Sequence, residues 1–273
     1  MKKKIKKAIY TILELVLIGV IAYNLYNIGD YFYGRYKAQK NFDKTHAIYE
    51  EVIEQELNKK FGSGELSEAE KRALEELQAK ELMKKLREIN KDVYAYIKIE
   101  GTTIDYPVVY KDNAYYLRRG IDRQYSLPGM IFIEETNKPD FSDRNTTIYG
   151  HRMSGASKKL APMFGDLKEL IDKDFVDSLP DKVVKIYTEE GVSRYRIFSG
   201  YHVDAYDDYR SFDMGDEEWI NYLNKFTKSS ALDFNLGREL KADDKIITLS
   251  TCDHLEHPDD DGRFAIHAVL ENK

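Results

Sequence analysis

The longest apolar run of the chain covers residues 8–28 and directly follows a lysine-rich stretch at residues 1–7. As a helix, this run would extend about 30 Å, enough to cross the hydrocarbon core of a bilayer. Basic residues beside such a span stay in the cytoplasm, and no small-residue cleavage site follows the run. The pattern predicts a cytoplasmic tail, an uncleaved signal anchor in the cell membrane and an extracellular remainder. An amphipathic helix lying on a membrane surface is the alternative.

Helical periodicity continues over residues 29–90. Aromatic and basic side chains at residues 31–37 suit the outer membrane interface. Two helical patterns follow, at residues 39–60 and 67–90, and the glycine-containing residues 62–64 separate them. We therefore predict a helical stalk and N-terminal helices that pack on the domain that follows.

The periodicity changes to two after the second helical pattern, which is typical of strands. Candidate strands cover residues 93–99, 103–109, 130–133, 146–149, 183–188, 193–203, 245–251 and 264–270. Eight short strands with few helices between them favour a closed barrel, which leaves no exposed sheet edge. Between the sixth and seventh strands, residues 216–228 carry apolar side chains at helical spacing. We predict a mainly β domain over residues 91–273, an eight-stranded closed barrel with one inserted helix.

Composition narrows the classes of function. A chain of 273 residues with 42% hydrophobic content can bury one domain of about 180–200 residues plus appendages. The 42 basic residues against 48 acidic ones leave no general basic field, so nucleic acid is not a predicted partner. A single cysteine excludes an internal disulfide, so the compartment follows from the N-terminal run alone.

The apolar, β-branched run at residues 246–252 ends in the only cysteine, Cys252. It predicts a buried strand that presents one thiol at its end, with a following strand that brings Arg263 back beside it. A lone cysteine at the end of an apolar strand is more often an inert core residue. The very polar residues 253–262 put Cys252 at the rim of the core, where a thiol is accessible for chemistry.

A second short β-rich run, residues 145–151, ends in His151 directly after a glycine that lets the backbone turn. Two strands would then present two reactive groups, and a cysteine nucleophile needs such a base or imidazolium partner.

The other histidines favour structural roles. His202 and His267 lie within apolar strands, where we expect satisfied core or surface residues, and His46 on the stalk has no candidate partner. Residues 254–261 hold two histidines and three aspartates, a weak metal signal that is more typical of a solvated turn. We predict no metal site, and we expect this loop to flank the mouth of the active site.

Several segments resemble motifs of one enzyme family. Residues 248–252 read Thr-Leu-Ser-Thr-Cys and resemble the TLxTC signature of sortases, residues 148–151 resemble their histidine motif, and Arg263 falls where their arginine does. Residues 98–109 and 163–167 also resemble class B sortases. The resemblance implies the same eight-stranded sortase-type barrel, with the inserted helix that class B members have.

The chemistry of the residue types gives three roles. Cys252 is the predicted nucleophile, which attacks a peptide carbonyl to form a thioacyl intermediate, and His151 is the proton donor to the departing amine. Arg263 cannot deprotonate and carries a fork of donors, so it suits an oxyanion or a substrate carbonyl. A structural salt bridge from Arg263 to residues 259–261 is the alternative. The sequence identifies no acidic residue that orients His151.

Ser250 and Thr251 are the candidate substrate-binding residues. They face opposite sides of a strand, so Ser250 shares the side of Cys252 and could bond to substrate or thiolate. A satisfied buried hydroxyl is an equal alternative. We predict no cofactor at the site.

The resemblance implies that an amine, and not water, resolves the thioacyl enzyme. The expected substrate is a C-terminal sorting signal of surface proteins, NPxTN-like or PxTG-like, cleaved after its threonine. The expected acceptor is an amine of a cell-wall peptide or a lysine of a pilus subunit. A thiol peptidase that releases its product to water and a non-catalytic, membrane-tethered binding barrel are the alternatives.

Overall fold

The computed structural model describes residues 2–60, 67–152, 163–252 and 262–271. Two long helices come first, α1 (Lys2–Lys60) and α2 (Glu68–Ile89). A capping box starts α2: the Ser67 backbone N–H donates to the Glu70 carboxylate at 2.8 Å, and the Glu70 N–H donates to Ser67 Oγ at 3.3 Å. The predicted separation at residues 62–64 lies outside the described residues.

One unbroken helix, α1, extends from the apolar run to the barrel. It is long and apolar enough to cross a membrane, and its most apolar window carries no buried side chain. Packing on the rest of the protein begins at Ala38, which is 3% exposed. Lys85 pairs with Glu51 at 3.0 Å and Gln78 donates to the Ile53 carbonyl at 3.1 Å, so α2 returns antiparallel to α1.

Eight strands close into a barrel, as the sequence predicts. They are β1 (Val93–Ile99), β2 (Asp105–Tyr110), β3 (Ile131–Ile133), β4 (Asn145–Tyr149), β5 (Val183–Thr188), β6 (Gly191–Asp204), β7 (Ile246–Cys252) and β8 (Gly262–Leu270). Their order around the barrel is β1-β2-β3-β4-β7-β8-β6-β5. The β2/β3 and β4/β7 pairs are parallel, and the other neighbours are antiparallel.

The second strand begins at Asp105, slightly later than its sequence pattern predicts. Thr102 holds the preceding residues in a turn, because its Oγ1 donates to the Ile99 carbonyl at 2.8 Å and accepts from the Ile104 N–H at 3.0 Å. Residues before Asp105 therefore form a turn although β-branched residues favour strands, because the hydrogen bonds of the Thr102 side chain compete with the backbone hydrogen bonds of the sheet.

Two apolar layers meet on β7. Leu249 belongs to the interior core together with its cross-strand partner Ile266. Ile246 belongs to an outer layer that includes the helix α4 (Asp216–Ser229) and its fully buried Trp219. This helix lies between β6 and β7 in the chain, which confirms the predicted insertion. A shorter helix, α3 (Lys173–Ser178), precedes β5.

Candidate active site

The ends of β4 and β7 lie side by side. The two strands are parallel, Tyr149 is in register with Ser250, and the next residue, Gly150, donates its N–H to the Ser250 carbonyl at 3.2 Å. His151 follows directly, so it leaves β4 beside the point where Cys252 ends β7. Parallel pairing therefore brings together two segments that are far apart in the sequence.

Arg263 reaches the same place from the other neighbour of β7. In the antiparallel β7/β8 pair, Cys252 and Arg263 are direct Cα partners. Arg263 is half-buried, and its Nη1 donates to the Gly262 carbonyl at 2.8 Å. The backbone of Cys252 belongs to β7, whereas its side chain lies outside what the structure describes. The three predicted residues thus occupy three adjacent strand ends.

The way His151 leaves β4 depends on Gly150. A Cβ at residue 150 would lie 2.8 Å from the Phe164 ring, closer than carbon atoms normally approach, so a side chain would displace that ring. The half-buried His151 ring places its Nε2 at 2.9 Å from the Leu117 carbonyl oxygen. A carbonyl oxygen only accepts, so Nε2 carries the proton of this bond.

A cavity of about 250 Å³ adjoins these strand ends. It is lined by Asn113, Leu117, Phe132, Glu134, Tyr149, Gly150, His151, Ala205, Tyr209, Arg210, Ser250, Thr251 and Arg263. The lining includes every predicted site residue whose side chain the structure describes. Ser250 and Thr251 lie in β7, Arg263 lies in β8, and His151 follows β4. A molecule bound in this cavity would lie next to these three strand ends.

The two candidate hydroxyl residues have different surroundings. Ser250 is buried, and its Oγ lies 3.1 Å from the hydroxyl of Tyr209, so it has a partner within the protein. Thr251 is 3% exposed, and its Oγ1 has no hydrogen-bond partner among the described residues. Burying a hydroxyl without a partner costs about 1–3 kcal/mol. The Thr251 hydroxyl therefore has a hydrogen-bonding capacity that the described residues leave unused.

Sequence reasoning missed one wall of the cavity. Glu134 accepts hydrogen bonds from the Tyr149 hydroxyl at 2.7 Å and from Asn113 Nδ2 at 2.6 Å. Arg210 donates to the Tyr149 hydroxyl at 3.3 Å. Burial, assisted by the Glu134 carboxylate, raises the pKa of Tyr149, so its phenol stays protonated. Only Tyr149 lies in a segment that the sequence singled out, and no spacing rule joins it to the other three residues.

His267 has the satisfied core environment that we expected. It is fully buried, its Nδ1 lies 2.9 Å from Thr248 Oγ1, and its Nε2 lies 3.2 Å from the Tyr201 hydroxyl. The ring stacks on Phe226 with centroids 3.8 Å apart. Burial lowers the pKa of His267 to about 3, which keeps the ring neutral at physiological pH.

The expectation that His46 has no partner is wrong. Its Nε2 lies 3.3 Å from the Asp105 carboxylate, and its Nδ1 lies 3.6 Å from the Glu50 carboxylate one turn along α1. Asp105 begins β2, so it meets His46 only because the helix packs on the barrel.

The loop at residues 254–261 lies outside the described residues. Its predicted place at the mouth of the site therefore stays a prediction, and so does the alternative ion pair from Arg263 to residues 259–261. Within the ranges that the structure describes, no group of three or more His, Cys, Asp or Glu side chains could hold a metal ion.

The fold and the site define a class of protein: a closed mixed barrel with cysteine, histidine and arginine at three adjacent strand ends beside one cavity. The family model described as the sortase domain matches residues 97–271. Sortase B of Listeria monocytogenes is 30% identical over 275 residues, which cover 99% of this chain and 100% of that protein. Sortase B of Staphylococcus aureus is 29% identical over 170 residues, 62% of this chain and 66% of that protein.

Solved structures agree with these relatives. Sortase B from Bacillus anthracis is 28% identical, with a TM-score of 0.68 over 89% of this chain and 100% of that chain. A Staphylococcus aureus sortase B–substrate complex shares the fold at 21% identity, with a TM-score of 0.69 over 86% of this chain and 97% of that chain. The chain belongs to the sortase family, whose members are cysteine transpeptidases, and within it to class B.

Proposed function

We propose that this sortase is a membrane-anchored cysteine transpeptidase that acts on the C-terminal sorting signal of surface proteins. One observation carries the proposal: Cys252 and Arg263 are Cα partners, and His151 leaves the adjacent parallel strand beside them. These residue types supply a nucleophile, a fixed cation and a proton donor at the edge of one cavity. Family membership supports the reaction class.

In the first half-reaction, the Cys252 thiolate attacks the carbonyl carbon of the signal's threonine and forms a C–S bond. The carbonyl electron pair moves to oxygen, and Arg263 donates hydrogen bonds to this oxyanion. When the tetrahedral intermediate collapses, the peptide C–N bond breaks and His151 gives its proton to the departing amine. A thioacyl enzyme and a released C-terminal fragment result.

In the second half-reaction, an acceptor amine attacks the thioacyl carbon and gives a proton to His151. The new C–N bond forms as the C–S bond breaks, which regenerates the Cys252 thiolate and protonated His151. One peptide bond is exchanged for another. The acceptor is an amine of a cell-wall peptide or a lysine of a pilus subunit.

The substrate of this proposal is an NPxTN-like or PxTG-like signal, and the cavity is its binding site. Thr251 contributes a buried hydroxyl that has no partner among the described residues, and Ser250 lies next to it in the lining. The Staphylococcus aureus sortase B that shares this fold was solved as a substrate complex, which supports a peptide in the corresponding groove.

We further propose that α1 anchors the enzyme in the cell membrane. Residues 1–7 form a cytoplasmic tail, residues 8–28 the span, residues 29–90 the stalk and N-terminal helices, and residues 91–273 an extracellular catalytic barrel. The length and apolar character of α1, with no buried side chain in its most apolar window, support this division.

The test uses the full-length protein in detergent with fluorogenic peptides that carry an NPxTN, a PxTG or a scrambled motif, with and without a short peptide amine. We expect a joined product that depends on both the motif and the amine. Cleavage without joining would indicate a thiol peptidase, and inertness toward every peptide would indicate a binding barrel; either result overturns the proposal.

Cys252→Ala is the matched control for this test. It removes the sulfur alone, so we expect it to abolish both cleavage and joining. A Cys252→Ala protein that cleaves as well as the parent would refute the assigned nucleophile.

A further inference from the structure

The His151 ring is bonded to a backbone group. Its Nε2 lies 2.9 Å from the carbonyl oxygen of Leu117, a residue of the short 3-10 helix Tyr115–Arg118. In catalytic triads, a carboxylate bonded to the histidine fixes its tautomer and orientation. A carbonyl oxygen also accepts a hydrogen bond from the ring, without the charge.

The neighbouring residue, Tyr116, anchors this carbonyl. Its fully buried ring ends in a hydroxyl that donates to the Asp92 carboxylate at 2.7 Å and accepts from Asn90 Nδ2 at 2.8 Å. Its own carbonyl accepts from the Met130 N–H at 3.0 Å. The residue before Leu117 is therefore held through both its side chain and its backbone.

Gly129 packs directly against the same backbone. It adopts a φ of +59°, and a Cβ there would lie 2.4 Å from the Tyr116 carbonyl oxygen and 2.5 Å from the Leu117 carbonyl oxygen. Both distances are far below any real contact, and the obstructing atoms are backbone rather than a movable side chain. A side chain at residue 129 therefore requires these two carbonyls, or the backbone of residue 129 itself, to shift.

We infer that the Leu117 carbonyl is the orienting partner of His151, and that Gly129 is the positioning residue that allows this carbonyl to sit where it does. The carbonyl fixes the neutral ring as the Nε2–H tautomer, which makes Nδ1 the nitrogen that gains and loses the proton in catalysis. The inference rests on the proposed role of His151 as proton donor. The Leu117 carbonyl is then the group that orients His151, for which the sequence identifies no acidic side chain.

The test compares Gly129→Ala with Gly237→Ala in the full-length protein. Gly237 is a matched control, since it also has a positive φ (+73°) but an added Cβ would meet no atom within 4 Å. The protein is labelled with ¹⁵N-histidine, and His151→Gln assigns the ring signals by their loss. Thermal melting, kcat and KM are measured alongside the ¹⁵N shifts.

We expect neutral His151 to carry its proton on Nε2 in the parent and in Gly237→Ala. In Gly129→Ala we expect mixed tautomers, a fall in kcat of about 100-fold and a much smaller change in KM, because a small misplacement of a catalytic group slows chemistry more than binding. An Nδ1–H parent ring overturns the inference, and so does a folded Gly129→Ala that keeps the parent tautomer and kcat.

A second variant covers the case in which Gly129→Ala fails to fold. Tyr116→Phe removes both hydrogen bonds of the hydroxyl but keeps the ring. We expect the same changes in smaller degree, about 5- to 10-fold in kcat, which is on the order of the net worth of a hydrogen bond. Unchanged tautomer and kcat in Tyr116→Phe would then overturn the inference. If His151→Gln instead retained full activity, the proposed function would fail while the ¹⁵N shifts would still report the Leu117 contact.

Discussion

Two histidines flank β7, and the protein surrounds them in opposite ways. His267 on β8 lies opposite Thr248 in the middle of the strand, fully buried and stacked on an aromatic ring. His151 follows β4 beside the end of β7, half-buried and lining a cavity. The position along β7 therefore distinguishes the two histidines: the one beside the middle of the strand is buried in the core, and the one beside its end lines the cavity.

The hydrogen bonds also set opposite tautomers. Thr248 donates its hydroxyl proton to Asn145 at 2.7 Å, so it accepts from the Nδ1–H of His267, whose Nε2 accepts from Tyr201. His151 has its Nε2 on a carbonyl instead. Burial keeps the His267 ring neutral, whereas the Leu117 carbonyl accepts from one nitrogen of a His151 ring that lines the cavity.

Among the changes that test the contrast between the two histidines, the largest effect should come from His151. We expect His151→Gln to lower kcat/KM by about 1000-fold, because general acid catalysis contributes 10²–10⁴. We expect the thermal midpoint to change little, since the ring is half-buried. The matched control is His267→Gln, which should melt at a lower temperature but retain the parent kcat below its melting point. If both variants lost stability and activity together, the contrast between the two histidines would be wrong.

The next largest effect should come from a substitution of Arg263, the partner of Cys252 at the end of β7. Arg263→Lys keeps the charge but loses the fork of donors, so we expect kcat to fall about 100-fold with KM nearly unchanged. Arg238→Lys is the control, because Arg238 makes a bidentate pair with Asp244 at 2.7 and 2.8 Å outside the cavity lining. Equal kinetic losses in the two variants would contradict a role of Arg263 on the oxyanion.

The buried histidine predicts a pH dependence of stability. Its pKa is about 3 in the folded protein against an ordinary value of 6.5, so the unfolded chain takes up a proton as the pH falls through 6.5 and the folded protein does not. The stabilisation is complete above pH 6.5 and is lost as the pH falls, by about 1.4 kcal/mol per pH unit at most.

Urea unfolding of the parent and His267→Gln between about pH 7.5 and pH 5 measures this slope. The variant should be less stable at the higher pH and should lose less stability on acidification. A variant with the parent's slope would show that His267 takes up its proton while folded.

The smallest effect concerns the Thr251 hydroxyl, which has no hydrogen-bond partner among the described residues. We expect Thr251→Val to raise KM for the peptide about 3- to 10-fold, the worth of one hydrogen bond, with stability unchanged or slightly increased. Thr146→Val is the control, because Thr146 Oγ1 is also buried without a partner among the described residues but is not in the cavity lining. If the KM of Thr251→Val matched that of the control, the Thr251 hydroxyl would not bind substrate.

Much of the fold follows from local sequence patterns. The period-two runs and the apolar run that ends in Cys252 predict all eight strands, because a strand's alternation depends only on its own residues. The inserted helix is equally local, since Trp219 and Phe226 lie on one helical face and are both buried. Bounds differ where a side chain competes with the ladder, as at Thr102.

The site is harder to predict from the sequence than the fold, because its residues come from segments that are far apart in the chain. The parallel pairing that sets His151 beside the end of β7 joins β4 to a strand about one hundred residues later, and no spacing encodes it. The hydrogen bond between Glu134 and Tyr149 at the cavity wall likewise joins residues that no sequence spacing connects. The Leu117 contact uses a backbone oxygen, which every residue has, so residue identity carries no signal for it.

The unbroken α1 also limits where this enzyme works. A helix rises about 1.5 Å per residue, so the ten residues from the end of the apolar run at residue 28 to the first buried contact at Ala38 cover about 15 Å. With the apolar run in a bilayer, as proposed, the catalytic barrel is tethered close to the lipid surface and cannot search far above it. A substrate signal must then come close to the lipid surface to reach the cavity.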